Sequence, residues 1–290
     1  MNTVTTTYDL PTFGDYGLAA LKVLIVALFV VLLWVIIDKV TSFDDERELF
    51  VNKNMAYAVL RISIVLAQVI ALVPLIAIRT GDFWHDIRPL LGWGAAVSVV
   101  ILLLNVVLDR VLKSSGGRNQ LTTITLPDAV LRGGFYVATG LIFHAALSGT
   151  ADNLGQAIAA SIVFALLGLV ALVVGYVILG LIGPFRSRGK LPGNDLAASI
   201  LSAGVVVGLG FILRLAIAGD FNGWASGIVG FAVTFVLGYV LLVILIFLLD
   251  LVLVRSHNLR EIVNGNEAVA ATVMSSILVA VSIVIGSVTI

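Results

Sequence analysis

Long apolar runs alternate with short charged segments along the whole chain. Each run approaches or exceeds the roughly 20 residues that an α-helix needs to cross a hydrocarbon core about 30 Å thick. The pattern therefore predicts eight membrane-spanning helices and an all-α polytopic membrane protein. The predicted spans are Gly17–Ile37, Met55–Ile78, Leu90–Leu108, Ala129–Leu147, Leu154–Ile182, Leu196–Ile217, Gly223–Leu249 and Ala268–Thr289.

The polar residues between the first four runs repeat at a fixed interval. Asp38-Lys39-Val40 recurs as Asp109-Arg110-Val111, and Ala58–Arg61 recurs as Ala129–Arg132, both 71 positions later. One ungapped shift thus aligns both ends of a helix–loop–helix segment, which is the signature of an internal repeat. The first two hairpins are therefore predicted to be parallel copies of one another.

The second half of the chain carries its own copy of this repeat. Gly193-Asn194-Asp195 and Gly265-Asn266-Glu267 lie 72 positions apart, and each precedes an apolar run. Four helical hairpins result, grouped in two tandem four-helix units. We place these units at residues 17–150 and 151–290, after an extracytoplasmic tail at residues 1–16.

The composition supports a membrane protein and excludes several other classes. Hydrophobic residues make up 60% of the chain and charged residues 12%, whereas a soluble domain has about 25% charged residues. The 17 basic and 17 acidic residues balance, so no basic surface is available and nucleic acid is not an expected partner. Since the chain has no cysteine, disulfides and thiolate metal sites are excluded. The lipid bilayer is the expected surrounding.

Basic residues concentrate in the loops inside the repeated hairpins. Four basic residues lie near the other helix ends, namely Lys22, Arg79, Arg88 and Arg214. The positive-inside rule then places the repeat loops in the cytoplasm and both termini outside it. The 11 basic residues of the repeat loops are Lys39, Arg47, Lys53, Arg110, Lys113, Arg118, Arg186, Arg188, Lys190, Arg255 and Arg260.

Two segments carry a common entry into a helix, Val40–Leu60 and His257–Val273. In both, a glutamate and a hydrophobic residue precede an asparagine and two alternating alanines. The matching positions are Thr41, Glu48, Asn54, Ala56 and Ala58 in the first segment and Glu261, Asn266, Ala268 and Ala270 in the later one. On these residues the chain resembles, in two tandem copies, the YjfL-like family of uncharacterised bacterial inner-membrane proteins, the domain of unknown function numbered 350. The resemblance implies a four-helix unit per copy in the bacterial inner membrane, and it implies no activity.

Polar residues begin the even-numbered spans at Asn54, Thr125, Asn194 and Asn266. Asparagine and threonine accept hydrogen bonds from the unpaired N–H groups of a first helical turn. We therefore interpret these four residues as helix caps. The alternative is a ring of polar groups that lines a cytoplasmic vestibule.

Two arginines lie inside predicted spans, Arg61 and Arg132, and a charge at that depth indicates a functional site by default. Gln68 follows Arg61 by seven residues and shares its helix face, while Asp38 and Asp109 each precede the arginine of their hairpin by 23 residues. One interpretation is structural, with each arginine paired to its aspartate or reaching the cytoplasmic interface along its own side chain. The other is a binding site for a solute or a lipid headgroup.

Glycines with small-xxx-small spacing occur at Gly204 and Gly208 and at Gly223 and Gly227. Such spacing lets two helices approach closely. We interpret these residues as packing positions, either within the chain or between chains.

The sequence contains no recognisable catalytic motif. His85, His144 and His257 lack the spacing of metal ligands, and neither a phosphate-binding glycine loop nor a serine-nucleophile motif is present. We expect no catalytic residue, no cofactor and no metal site. The favoured function is a non-enzymatic membrane scaffold or accessory protein that binds a cytoplasmic protein through its repeat loops and self-associates. The alternatives are a channel or transporter that uses Arg61 and Arg132 and, with less support, a lipid-handling protein.

Overall fold

Nine α-helices make up most of the structure, a computed structural model that describes residues 13–40, 47–77, 82–112, 124–182, 193–252 and 258–287. Eight of the described helices are long and apolar enough to cross a membrane, which confirms the predicted number of spans. The helices are α1 (Phe13–Val40), α2 (Met55–Ala77), α3 (Phe83–Leu112), α4 (Leu126–Ala146), α5 (Leu154–Ile182), α6 (Leu196–Ile217), α7 (Trp224–Val252), the short α8 (Leu259–Gly265) and α9 (Ala268–Ile285).

The largest difference from the predicted bounds is at the start of α3. The helix begins at Phe83, whereas the apolar pattern predicts Leu90. Asp86 interrupts the apolar run, but its side chain is buried against Lys22 of α1. Because this carboxylate has a counter-charge inside the protein, it does not end the helix.

Two short helical segments lie in the repeat loops and are absent from the prediction. Arg47–Val51 forms a π-helical turn before α2, and α8 occupies the corresponding place before α9. Asn258 and Glu261 form a reciprocal capping box at the start of α8. Neither segment has the length or the apolar pattern of a span, so hydropathy does not reveal it.

Helices α2, α4, α6 and α9 form a row, called the central row below. The three most extensive helix contacts in the described structure join α2 to α4, α4 to α6 and α6 to α9, and α1, α3, α5 and α7 flank this row. In the most apolar 18-residue stretch of α4, 78% of the residues are buried, against 22% in the corresponding stretches of α1 and α7. The flanking helices, together with α9 at the end of the row, which is also 22% buried, therefore present most of the surface that lipid would contact.

The helices of the central row are parallel and approach one another backbone to backbone. A Cβ atom on Gly140 of α4 would lie 2.9 Å from Cα of Ala67 in α2, and one on Gly134 would lie 2.9 Å from Cα of Ala203 in α6. A Cβ on Gly210 of α6 would lie 2.8 Å from the Cα of an α4 alanine. Real Cβ contacts are not this short, so only glycine permits the observed separations.

Three of the four predicted packing glycines lie in helix contacts. Gly204 and Gly208 face Ser275 and Ser282 of α9, and Gly227 of α7 faces the ring of Phe164 in α5. These contacts join helices of one chain.

The prediction for Gly223 is wrong. This residue precedes α7 and has a φ of 120°. A glycine is needed there because other residues rarely adopt a positive φ. The Gly223 carbonyl accepts a hydrogen bond from the Gly227 amide at 3.0 Å, and an added Cβ would meet only Ser226 of the same helix. Gly223 therefore lies at the start of α7 and does not form a contact between helices.

The first two predicted caps lie at the starts of their helices. Asn54 Oδ1 accepts a hydrogen bond from the Tyr57 amide at 3.2 Å. Thr125 Oγ1 accepts one from the Asp128 amide at 3.5 Å and is the N-cap of α4.

The other two caps are assigned wrongly by the sequence. Asp195, not Asn194, caps α6, because its Oδ1 accepts from the Ala198 amide at 3.2 Å. Asn266 ends α8 in a left-handed conformation with a φ of 54°. Its Oδ1 accepts from the Ala197 amide of α6 at 3.1 Å, so Asn266 supplies a cap to a neighbouring helix.

Hydrogen bonds at this end of the central row therefore run between repeats. Thr125 Oγ1 donates to the carbonyl of Gly193 at 3.4 Å, and the bond from Ala197 to Asn266 links the next pair of helices. We call this end, where α2, α4, α6 and α9 begin, the repeat-loop face, and the other end the opposite face. The first turns of neighbouring parallel helices are thus held in register.

Candidate functional site

Arg61 lies in the second turn of α2 with its side chain enclosed by the protein. It is 2% exposed, and its Nε donates to the hydroxyl of Tyr57 at 2.9 Å. The guanidinium also lies 5.2 Å from the ring centroid of Trp34 in α1, within the range of a cation–π contact. Arg61 therefore faces the interior of the first four-helix unit. Its predicted ion pair with Asp38 stays a prediction.

Arg132 occupies the same position in α4 and is 3% exposed. Its Nε donates to Oδ2 of Asp128, one turn earlier in the same helix, at 2.8 Å. The side chain of Asp109, the partner that the sequence predicts, lies outside the described residues. Asp128 is not among the partners that the sequence predicts for Arg132.

The two repeats thus support their arginines from equivalent positions. Tyr57 and Asp128 are 71 residues apart, like the arginines that they contact. Both lie in the first turn of their helix, and the negative charge of Asp128 is also favourable near a helix N-terminus. The corresponding positions in the second unit are uncharged, Ser202 and Met274. In both repeats, a residue in the first turn of the helix thus holds the arginine in place, as expected for a structural role.

Gln68 lies two turns deeper than Arg61 and is fully buried. Its Nε2 donates to the Gly94 carbonyl at 3.3 Å and to Ser98 Oγ at 3.1 Å, both in α3. Among the described residues, no hydrogen-bond partner reaches Gln68 Oε1 or Thr139 Oγ1 of α4. The amide of Gln68 therefore joins α2 to α3 near the middle of the span and retains an unused acceptor.

A buried ion pair that the sequence analysis missed joins α1 to α3 near the opposite face. Lys22 Nζ lies 3.0 Å from Asp86 Oδ2, and the two side chains are 1% and 0% exposed. The charge pattern of the sequence places Lys22 near a helix end, and the apolar pattern places Asp86 outside the third span. Two opposite charges, one in the third turn of α1 and one in the first turn of α3, are the signal that could have revealed the pair.

Apolar layers separate these polar groups along the first unit. Between the Lys22–Asp86 pair and Gln68, α1 and α3 contribute the buried side chains of Val26 and Leu90. Between Gln68 and Arg61, α2 contributes the buried side chain of Ile64. The Lys22–Asp86 pair, Gln68 and Arg61 therefore lie at separate levels. Ser63, which lies between Arg61 and Gln68, donates its hydroxyl to the Val59 carbonyl of its own helix.

A cavity of about 460 Å³ lies elsewhere, at the opposite face, where the end of the first unit meets the second. It is bounded by the ends of α4 and α6 and the starts of α5 and α7. Phe164 and Phe231 contribute aromatic walls, while Thr150 and Asp220 contribute polar groups. The cavity is thus remote from both arginines, which lie toward the repeat-loop face.

The aspartates of the two Gly-Asp-Phe sequences accept hydrogen bonds outside the spans. A hydrogen bond with the His85 side chain is the largest cause that lowers the pKa of Asp82, and a hydrogen bond from the Trp84 amide is the second. The side chain and the amide of Thr150 lower the pKa of Asp220. Asp220 thereby joins two loops at the opposite face, since the Thr150 amide donates to its Oδ1 at 3.0 Å.

In the part of the chain that the structure describes, no three His, Cys, Asp or Glu side chains are grouped as metal ligands. His144 Nδ1 lies 3.0 Å from the Ile70 carbonyl and joins α4 to α2. His85 pairs with Asp82 at an exposed position. His257 lies outside the described residues.

Comparison with known proteins gives one family. The family model described as Domain of Unknown Function (DUF350) matches the chain twice, over residues 9–147 and 152–289. Each match contains four of the eight spans, in agreement with two tandem copies. No curated protein and no solved structure matches the chain.

Proposed function

Since the chain belongs to the DUF350 family and carries its domain twice, we propose that it is a non-enzymatic scaffold of the bacterial inner membrane. In this proposal a rigid membrane core presents the repeat loops to a cytoplasmic protein partner. A scaffold needs a core that holds the repeat loops in a constant arrangement, and this core does not conduct ions or solutes.

The observation that carries the proposal is the packing of the central row. Glycines bring α2, α4 and α6 into backbone contact, so the interfaces within the row have no room for a lumen. Hydrogen bonds between repeats at the repeat-loop face add a fixed register. A core of this kind positions loops and does not rearrange easily, because close-packed interfaces are not continuously deformable.

The contacts of the two arginines support the same proposal. Arg61 is held by Tyr57 and Trp34, and Arg132 is held by Asp128. A protein side chain thus already contacts the guanidinium that a transported anion would have to bind. In a scaffold both arginines anchor the beginnings of their helices.

The orientation that we propose places the repeat loops in the cytoplasm and both termini outside it. The support is the excess of Lys and Arg in those loops. We expect a reporter fused after Ile290 to be active on the extracytoplasmic side. Cytoplasmic activity of that fusion would reverse the orientation and move the proposed partner to the other side of the membrane.

Transport is the second candidate, favoured by the buried charges of the first unit. Ionisable residues within spans often mark ion pathways, and Lys22, Asp86 and Gln68 lie in one group of three helices. In this alternative the polar levels connect transiently, through water that enters between them.

A flux measurement separates the two candidates. The purified protein is reconstituted in liposomes, and chloride, potassium and proton fluxes are compared with those of protein-free liposomes. For a scaffold we expect equal fluxes in both. A flux above the protein-free value that Asp86→Asn or Arg61→Leu abolishes would refute the scaffold and establish transport.

A further inference from the structure

The three interfaces of the central row use equivalent positions of the repeat. In each interface the earlier helix contributes two positions four residues apart, which we call its leading face. The later helix contributes two positions seven residues apart, its trailing face. The leading faces are Ser63 and Ala67 in α2, Gly134 and Ala138 in α4, and Gly204 and Gly208 in α6. The trailing faces are Gly133 and Gly140 in α4, Ala203 and Gly210 in α6, and Ser275 and Ser282 in α9.

The last helix of the row keeps a leading face that none of the described residues covers. Positions equivalent to Gly204 and Gly208 fall, 72 residues later, on Ser276 and Ala280 of α9. Both are exposed, as is Val269 on the same side of the helix. Small residues thus persist at the positions where α2, α4 and α6 each receive the next helix.

The first helix of the row has lost the matching trailing face. The positions in α2 equivalent to Gly133 and Gly140 are Ile62 and Val69. Ile62 is 59% exposed, and its branched side chain prevents the close approach that the glycines permit. At the α2 end of the row, bulky residues therefore prevent another helix from packing closely. At the α9 end, small residues still permit it.

We propose that two copies of the protein form a two-fold symmetric dimer through the leading faces of their α9 helices. Copies that share one membrane orientation have parallel α9 helices, and a two-fold axis along the membrane normal brings identical faces together. The dimer extends the central row of one copy into that of the other.

The chemistry of the α9 leading face suits a helix better than a lipid chain. Thr272 Oγ1 donates to the Ala268 carbonyl and Ser276 Oγ to the Thr272 carbonyl, each at 2.8 Å. These hydroxyls are therefore satisfied within α9 and leave a shallow surface. Helix association in membranes is driven by van der Waals packing, which small residues promote because they let two backbones come close.

Cysteine cross-linking in native membranes tests the proposal, because the chain has no cysteine of its own. We expect Ser276→Cys and Ala280→Cys each to give a disulfide-linked dimer on mild oxidation, since residues near a two-fold axis face their own copies at the short distances that disulfides require. Val236→Cys, on the exposed surface of α7, is the matched control and should remain monomeric.

The other outcomes would overturn the proposal. Cross-linking of Ser276→Cys and Ala280→Cys no greater than that of Val236→Cys would mean that lipid covers this face. A dimer that forms only when Ala280→Cys chains are mixed with Ile62→Cys chains would mean that the row continues head to tail. Ala280→Leu provides an independent readout. It should shift the protein from dimer to monomer in detergent, and its melting temperature is measured in parallel. The control Val236→Leu should leave the mass of the particle unchanged.

Discussion

Replacement of Gly140 by leucine should destabilise the protein by about 3 kcal/mol or more, beyond the usual 1–3 kcal/mol of overpacked core positions. The added Cβ would lie 2.7 Å from the carbonyl oxygen and 2.9 Å from Cα of Ala67. Both atoms belong to the backbone of α2, so no side-chain rotation can relieve the clash. The two helices must separate, and α4 then loses its most extensive contact. Unfolding of the purified protein by heat or by SDS measures the effect.

A matched control is available in α5. Gly180 is exposed, and an added Cβ there meets no atom within 4 Å. Gly180→Leu makes the same chemical change in a membrane-spanning helix without a clash. It should unfold at the same temperature as the unchanged protein. Equal unfolding of Gly140→Leu and Gly180→Leu would contradict the backbone contact between α2 and α4.

Gly208→Leu provides an intermediate case, because the nearest atom to its added Cβ is Ser282 Oγ at 2.6 Å. A serine hydroxyl can rotate, whereas a backbone carbonyl cannot. The loss of stability should therefore be smaller than for Gly140→Leu and larger than for Gly180→Leu. The order of the three variants distinguishes backbone contacts from side-chain contacts within the same row.

The eight spans follow from the sequence because the bilayer imposes a strong rule. Every backbone N–H and C=O must be paired within lipid, so a long apolar run must be helical. The repeat is also visible, since loops and helix entries keep their polar residues. The order of the helices in space does not follow from these signals. A helix that lipid surrounds and a helix that other helices surround both need apolar surfaces.

A signal for the central row is nevertheless present in the sequence. The most deeply buried helices, α4 and α6, have a lower mean hydropathy than the flanking helices α5 and α7. Their small and polar residues point toward protein, whereas α5 and α7 carry apolar residues around most of their circumference. The glycine pairs Gly133-Gly134 and Gly204-Gly208 belong to this pattern. Spans with glycine and with polar residues are thus indicators of the interior of a membrane protein.

The helix caps show which features of the structure local sequence patterns do not predict. Asn266 has the right residue type at the right place to cap α9, yet its side chain serves α6. Asparagine is compatible with both roles, and only the tertiary arrangement decides between them. The pairing of Arg132 with Asp128 is different, because a spacing of four residues within one helix is a local signal. The longer-range partner was favoured because it recurred in both hairpins.

Removal of the carboxylate charge from Asp86 should cost on the order of 3–5 kcal/mol, the usual loss when one member of a buried ion pair is removed. In Asp86→Asn the Lys22 ammonium loses the counter-charge that the structure shows. The Lys22 side chain is 1% exposed, and the residue lies about 14 Å from the start of α1 at 1.5 Å per residue. Thermal unfolding in detergent should fall clearly below that of the unchanged protein. Asp82→Asn is the matched control. It alters an exposed carboxylate four residues earlier and should leave the unfolding temperature unchanged.

The double variant Lys22→Met with Asp86→Leu removes both charges and preserves much of the buried volume. Replacing a whole buried pair by apolar side chains is often neutral or stabilising, so this variant should be more stable than Asp86→Asn alone. The difference between the double effect and the summed single effects measures the coupling between the two side chains. Coupling near zero would mean that Lys22 reaches the opposite face when its partner is lost. If the double variant folds normally in liposomes and shows the same fluxes as the unchanged protein, the pair joins α1 to α3 and carries no ion. If instead a flux is present in the unchanged protein and absent from the folded double variant, the pair belongs to an ion pathway and the scaffold proposal fails.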